Sequence, residues 1–375
     1  MRVLTRPNVG GPTLQAIALW HAHKRLGVRT LLAVGRCAPN EPSLDLAAHG
    51  IPAVSPDRVT RDSEGFLEVE GLGNGFAPIR LVVARRALRR AIRAFAPDVV
   101  HTHTSAAGFC GRTAAFAERV PRVVHTFHGI VLRDYFGSLV SWALLRLEAR
   151  LARSTHALLA VSPSCRDELV ELGVAARERF FVVRPAVPLP TFVDRREARA
   201  QLGLGDDTFA IATYGRLVPV KRVDHFVAAV DGVQGSVGHV HGGGPLASLL
   251  RRLASPRVTF FGSSERARTQ LKAYDALVLS SRREGCPLVA VEAFAAGVPV
   301  VGYDVPGVRD VLSAWGSGLL VPEREGPQGL CRALVRVRDD RALVAGIVQA
   351  AQAKLRAFAP DAVAAELLAI YRARP

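Results

Sequence analysis

Little in this chain suits a disulfide, zinc or membrane-spanning role. Its five cysteines, Cys37, Cys110, Cys165, Cys286 and Cys331, are scattered and form no CxxC pair. That excludes a disulfide framework and a thiolate-built zinc site and fits a reducing compartment. The most apolar long stretch, residues 139–161, carries Arg146, Glu148, Arg150 and Arg153, so it is no bilayer span. The opening Met1–Thr5 is too short for a signal-peptide core, and the expectation is a cytoplasmic protein, at most peripheral on the inner membrane face. Aromatic residues make up only 6%, and no zinc-finger, RNA-recognition or helix-turn-helix signature is present, so nucleic acid is not an expected partner. Lysine is scarce as well: 4 against 45 arginines, in a chain of formal net charge +16. Two readings fit that excess: the coding bias of a GC-rich genome, or attraction to anions such as sugar nucleotides, lipid phosphates or a membrane surface.

What is present is the composition of a folded protein, 49% hydrophobic and 22% charged, in 375 residues, a length that calls for two domains. Short β-branched runs alternate with longer amphipathic stretches, the pattern of α/β architecture with parallel sheets. Expected strands in the first half are 2–5, 29–33, 98–102, 122–126, 157–161 and 180–183. Those in the second half are 209–214, 237–241, 258–261, 276–279, 298–301 and 319–321. The segment Arg184–Pro190 holds Pro185, Pro188 and Pro190, which suits a stiff linker between the halves. The tail, 339–374, reads as helices separated at Pro360, able to cap the second half or cross back onto the first. The glycine-rich patch Gly71–Gly75 neither follows a clear strand nor opens a clear helix, and is expected to be a surface loop.

The strongest chemical signal lies at 280–301. A strand ends near Leu279, a glycine-containing loop follows, and a helix opens at about Pro287, which aims free backbone N–H groups at whatever lies above the sheet. Glu284 stands in the loop and Glu292 on the second turn of the helix. Two carboxylates so placed can hold separate hydroxyl groups of one polyhydroxylated ligand. They can equally be helix-terminus acids that favour the dipole, and spacing alone leaves both readings open.

This stretch resembles the E-x7-E signature of retaining glycosyltransferases of family 4 (glycosyl transferases, group 1). Further segments carry the same resemblance in unbroken order from about Arg2 to Pro322. Tyr214–Arg222 is similar to the family's G-R-L-x-x-x-K segment, His241–Leu246 to its G-x-G-P-L turn, Val258–Gly262 to V-x-F-x-G and Gly318–Pro322 to G-x-L-V-P. Asn8–Pro12, Pro97–His103, His125–Gly129 and Ala160–Ser164 match four motifs of the first half. The chain departs from the family at Arg184–Pro188, where a Gly and an Asp are usual, a position at the interdomain hinge.

The resemblance implies a GT-B fold, two Rossmann-like domains with parallel sheets facing across a cleft. Residues 1–184 would bind the acceptor, 185–358 the NDP-sugar, and 359–375 would cross back to the first domain. It implies that Arg216 and Lys221 bind the donor diphosphate. Physics agrees: a transferase without a metal needs fixed cations to stabilise a leaving group that gains negative charge. Glu284 is expected at the donor-sugar hydroxyls, with Gly285, Cys286, Pro287 and Leu288 lining the loop, and Glu292 at the ribose. Gly215 and Gly244 belong to the donor-binding loops. His128 would face the donor sugar, where a neutral imidazole can position a hydroxyl or relay a proton. Gly10 and Gly11 would allow close approach of backbone to ligand, or simply make a tight turn. His101, His103, His125 and His128 cluster at strand ends, but no carboxylate accompanies them at ligand spacing, and no metal or resident cofactor is expected. The nucleotide sugar, UDP-linked before GDP-linked, serves as co-substrate.

The acceptor stays open among a sugar, a lipid-linked group and a small molecule. Residues 125–129 with Tyr135 and Phe136 resemble envelope-polysaccharide and glycolipid enzymes, and natural-product enzymes share the donor motifs. Arg85, Arg86, Arg89, Arg90 and Arg93 fall on one helical face opposite Leu88, Ile92 and Phe95. That face is either simply solvated or the basic side of an amphipathic helix on anionic lipid. Rival readings are a sugar-nucleotide epimerase or hydrolase on the same fold, and a non-catalytic sugar-nucleotide-binding protein.

Overall fold

The computed structural model describes residues 1–39, 41–73, 77–129, 138–312 and 316–373. It divides into two compact units, residues 1–188 with 359–375, and residues 189–358. The sequence had placed the break after residue 184. The unit reaches four residues further because Ala186 and Val187 are buried, Ala186 within the first unit's core beside Val183.

The first unit holds seven parallel strands in the order β3-β2-β1-β4-β5-β6-β7. They are β1 (Arg2–Leu4), β2 (Leu31–Val34), β3 (Gly65–Glu68), β4 (Val99–His103), β5 (Arg122–Phe127), β6 (Ala157–Ala160) and β7 (Phe180–Val182). Successive side chains take opposite faces, and both faces are covered, as parallel sheets require. Val3, Leu31, Ala33, Val100 and Val123 pack with Leu88 and Ile92 of helix Pro78–Phe95 and Ala114 of helix Ser105–Ala117. Leu4, Leu32 and Val34 face Leu14, Ile17 and Trp20 of helix Gly11–Arg25. Val124 and Leu159 meet Val363 and Leu367 of helix Pro360–Arg372, which also covers Leu19 and Ala22.

The edge strand β3 was not expected. Its sequence, Gly-Phe-Leu-Glu, opens on a glycine and ends on an exposed acid, so it lacks the apolar run that marks the inner strands. The glycine-rich patch is also corrected in part: Leu72 is buried in the core and Gly73 is buried, while Asn74 and Gly75 lie outside the described residues. So do Tyr135 and Phe136.

The second unit has six parallel strands in the order β10-β9-β8-β11-β12-β13. They are β8 (Phe209–Tyr214), β9 (Ser236–His241), β10 (Val258–Gly262), β11 (Ala276–Leu279), β12 (Val300–Tyr303) and β13 (Leu319–Val321). The fully buried runs of β11 and β12 mark the centre of a doubly wound sheet. In each sheet the strand order reverses between two neighbours, β1 and β4 in the first, β8 and β11 in the second. Ligands of such sheets bind beyond the carboxyl ends of the strands at that switch point.

Candidate functional site

The β8/β11 switch point carries most of the candidate residues. Beyond Tyr214 the chain passes through Gly215 and Arg216 into a single 3-10 turn, Pro219–Lys221. Arg222 ends that turn in the left-handed region, φ 45°. The strain is held by neighbours: Arg222 Nη1 donates to Glu323 Oε1 at 2.6 Å, and the guanidinium lies 5.2 Å from the Tyr303 ring. The loop after β11 is stitched to the same turn. Ser280 Oγ donates to the Lys221 carbonyl at 2.9 Å, and the Arg282 N–H to the Val220 carbonyl at 2.8 Å.

These bonds bring Lys221 and Glu284 together. Lys221 Nζ donates to Glu284 Oε1, and Ser281 Oγ donates to the same oxygen at 2.6 Å. Glu284 is further fixed by its N–H to the Pro306 carbonyl at 3.1 Å. Gly307 is the glycine this loop demands: φ is 79°, and a Cβ there would sit 2.2 Å from the Glu284 carbonyl oxygen. Arg216 is exposed, and its guanidinium has no partner among the described residues. Gly244 closes the far side of the loop, its backbone packed against Leu217. The loops after β8 and β11 therefore hold an unpaired Arg216 and the Lys221–Glu284 ion pair.

Helix Leu288–Ala296 begins one residue later than expected, and Pro287 stands just before it in extended backbone. The N–H groups of Gly285 and Leu288 take no protein partner among the described residues. Cys286 sits half-buried beside them and is in no disulfide. Glu292 is only 2% exposed. Arg268, from the 3-10 helix Arg266–Ala273, donates Nε to its Oε1 at 2.9 Å and Nη2 to the same atom. Burial nevertheless holds the Glu292 carboxyl above its usual range. Arg268 was not among the expected site residues, because it lies 24 positions before Glu292 and nothing in the intervening chain signals the pairing.

In the first unit Gly10 caps helix Gly11–Arg25, with φ −172°, extended backbone open to any residue. A Cβ at Gly10 would lie 3.6 Å from Asn8 Oδ1, an ordinary contact. Neither backbone nor packing requires the glycine.

Of the four histidines, His101, His103 and His128 join and His125 does not. The His101 and His103 rings stack 4.3 Å apart, and His103 Nδ1 lies 2.8 Å from His128 Nε2. Arg2 Nη1 donates to His103 Nε2 at 2.7 Å, which places a fixed positive charge where a metal ion would need a lone pair. His125 turns to the other face, 2.8 Å from Thr102 Oγ1. Burial pushes the His128 imidazole down to about 4, with Arg2 adding to the effect, so the ring is neutral at pH 7. Of the five arginines expected on one face of helix Pro78–Phe95, Arg89 and Arg93 bond Glu118 at 2.5 and 2.6 Å, while Arg85, Arg86 and Arg90 are exposed.

With this geometry in hand, likeness to known proteins is informative. Residues 12–189 match the profile of Glycosyltransferase Family 4, and residues 208–340 that of Glycosyl transferases group 1. The chain is 31% identical over 308 residues to D-inositol 3-phosphate glycosyltransferase 1 of Catenulispora acidiphila, covering 73% of this chain and 72% of that one. It is 29% identical over 262 residues to the UDP-Gal:alpha-D-GlcNAc-diphosphoundecaprenol alpha-1,3-galactosyltransferase of Escherichia coli, covering 66% and 67% of the two. Among solved structures, sucrose-phosphate synthase from Thermosynechococcus elongatus superposes with a TM-score of 0.80 at 20% identity, over 99% of this chain and 98% of that one. HepE of Anabaena, solved with UDP-glucose, gives 0.76 at 20% identity, over 98% of each chain. Two Rossmann-like halves and these neighbours establish the GT-B fold.

Proposed function

The chain belongs to the group 1, family 4 glycosyltransferases, enzymes that use a nucleotide sugar, and we propose that it moves a hexosyl or N-acetylhexosaminyl group from a UDP-sugar with retention of configuration. The observation that carries this reading is the β8/β11 switch point, where uncommitted Arg216 stands beside the Lys221–Glu284 pair. A diphosphate draws Lys221 from Glu284 and is held by two cations, Arg216 and Lys221, which stabilise the charge it gains as the glycosidic bond breaks. The freed Glu284 carboxylate, kept in place by Ser281, then orients hydroxyls of the donor sugar. The N–H groups of Gly285 and Leu288 add donors for phosphate or sugar oxygens. Because protein cations perform this task, the reaction proceeds without a metal ion. No side chain among the described residues of these loops is positioned as an obvious nucleophile, which favours front-face transfer.

Two relatives bear names that specify phosphate-bearing acceptors, inositol phosphate and a diphosphate-linked lipid. A chain of net charge +16 suits an acceptor of that class. The test is a thermal-shift panel of UDP-, GDP-, ADP- and dTDP-sugars with EDTA present, followed by product analysis. The expected result is stabilisation by the UDP series that Arg216→Ala weakens. No shift with any nucleotide sugar overturns the reading, and release of free or epimerised sugar without transfer favours an epimerase or hydrolase.

A further inference from the structure

Arg2 is buried to 2% exposure in β1 and has no carboxylate partner among the described residues. Its guanidinium instead reaches two rings, with Nη1 2.7 Å from His103 Nε2 and Nη2 3.3 Å from the Tyr371 hydroxyl. A guanidinium only donates. His103 Nε2 therefore accepts, and the single proton of this neutral imidazole sits on Nδ1. That Nδ1 lies 2.8 Å from His128 Nε2, so His103 donates and His128 Nε2 accepts in turn. The proton of His128 is left on its own Nδ1.

A second branch starts from the same guanidinium. Tyr371 accepts from Arg2, its hydroxyl pairs with His101 Nδ1 at 2.5 Å, and His101 Nε2 pairs with Thr126 Oγ1 at 2.7 Å. In the first branch every bond points outward from Arg2. Burial holds His101 and His103, like His128, below the range where a second proton would scramble this order. The Nδ1 of His128 has no partner among the described residues.

We propose that Arg2, acting through His103, is a positioning residue that locks His128 in the Nδ1–H tautomer, so the ring meets the substrate as a hydrogen-bond donor and not as a base. This rests on the reading of His128 as a donor-sugar contact and gives that contact its chemistry. With Nε2 occupied and Nδ1 protonated, the ring has no lone pair to take the acceptor's proton. It donates instead to an oxygen of the sugar.

The test is long-range nitrogen–proton NMR of the ring nitrogens in the full-length protein labelled with 15N-histidine, His128 being assigned with His128→Gln. The expected spectrum shows a protonated Nδ1 and an unprotonated Nε2. Arg2→Met removes the obligate donor without stranding a charge, and is expected to mix the His128 tautomers and lower turnover about tenfold, the scale of one hydrogen bond. Arg2→Lys, again a pure donor, is expected to restore both. Tyr371→Phe cuts only the other branch and is expected to leave the His128 tautomer unchanged. A protonated Nε2 in the unmodified protein overturns the proposal. So does an Arg2→Met spectrum identical to it, or an equal loss of tautomer order in Tyr371→Phe. The spectrum needs no substrate, so it stands apart from the functional reading of His128, which fails on its own if His128→Ala keeps full turnover.

Discussion

The loops beyond β8 and β11 work with charge, and the strand ends of β4 and β5 work with neutral hydrogen bonds. In the second unit the chemistry-bearing groups are ions: Arg216, Lys221, Glu284 and the buried Arg268–Glu292 pair. In the first unit three imidazoles, a phenol and a threonine are ordered by one buried arginine. In the proposed reaction the two suit different partners: a diphosphate leaving group calls for cations, and a sugar hydroxyl for a dipole held in one direction, which burial and a fixed donor supply.

Four measurements would break or sharpen this contrast. The largest effect is expected from Glu292→Ala, which removes the buried carboxylate that pairs with half-buried Arg268 and should cost about 3 kcal/mol of stability by urea denaturation. Glu292→Gln, which keeps an acceptor, should cost distinctly less, and equal losses would show that the charge is not what the site requires. Lys221→Ala should lower turnover about 100-fold, the scale of removing one preorganised electrostatic group, with the fold intact by circular dichroism. Near-normal initial rates would remove Lys221 from the mechanism.

The third measurement uses acid to separate the units. His128 and His23 in the first unit are held down to about 4 and about 3, and His101, His103 and His125 well below 6.5. The second unit has two comparable groups, His239 at about 4 and His241 at about 3. Each such group takes up a proton in the unfolded chain near pH 6.5 but not in the folded one. Its contribution is thus intact above that pH and is lost as pH falls toward 4, by at most about 1.4 kcal/mol per pH unit. Hydrogen exchange at pH 5 against pH 7.5 should therefore show the first unit loosening before the second. The reverse order would contradict the neutral, buried character assigned to the histidine network.

The smallest effect concerns the basic helix. Of the five arginines on its basic face, Arg85, Arg86 and Arg90 are not paired with Glu118, and each basic residue near an anionic bilayer is worth about 1 kcal/mol. If the acceptor is lipid-linked, cosedimentation with phosphatidylglycerol vesicles should fall when these three become glutamate. Arg89→Gln with Arg93→Gln should change it less, and equal losses would return the helix to a role as a solvated face.

Much of the fold was legible because its signals are local. Strands β8, β11 and β13 are marked by short β-branched runs with the right flanks, and Pro360 opens the last helix. The edge strand β3 was not legible, since its pairing with β2 and not its own hydropathy makes it a strand. At the site, Glu284, Lys221 and Arg216 stood out through motif and spacing. Ser281 lay in plain view inside the motif, its role visible only once its hydroxyl met Glu284.

Residue order alone determined the alternation of buried faces, the glycine-bearing loops after the strands and the residues that carry charge at their ends. These follow from backbone geometry and hydrophobic burial, which act over a few residues at a time. The tertiary structure decided which partner each charge and each imidazole would find. Arg2 and Tyr371 are 369 residues apart in the chain and bonded in the fold. A proton's place on an imidazole depends on such neighbours, and the parallel sheet with its returning helix brings them together.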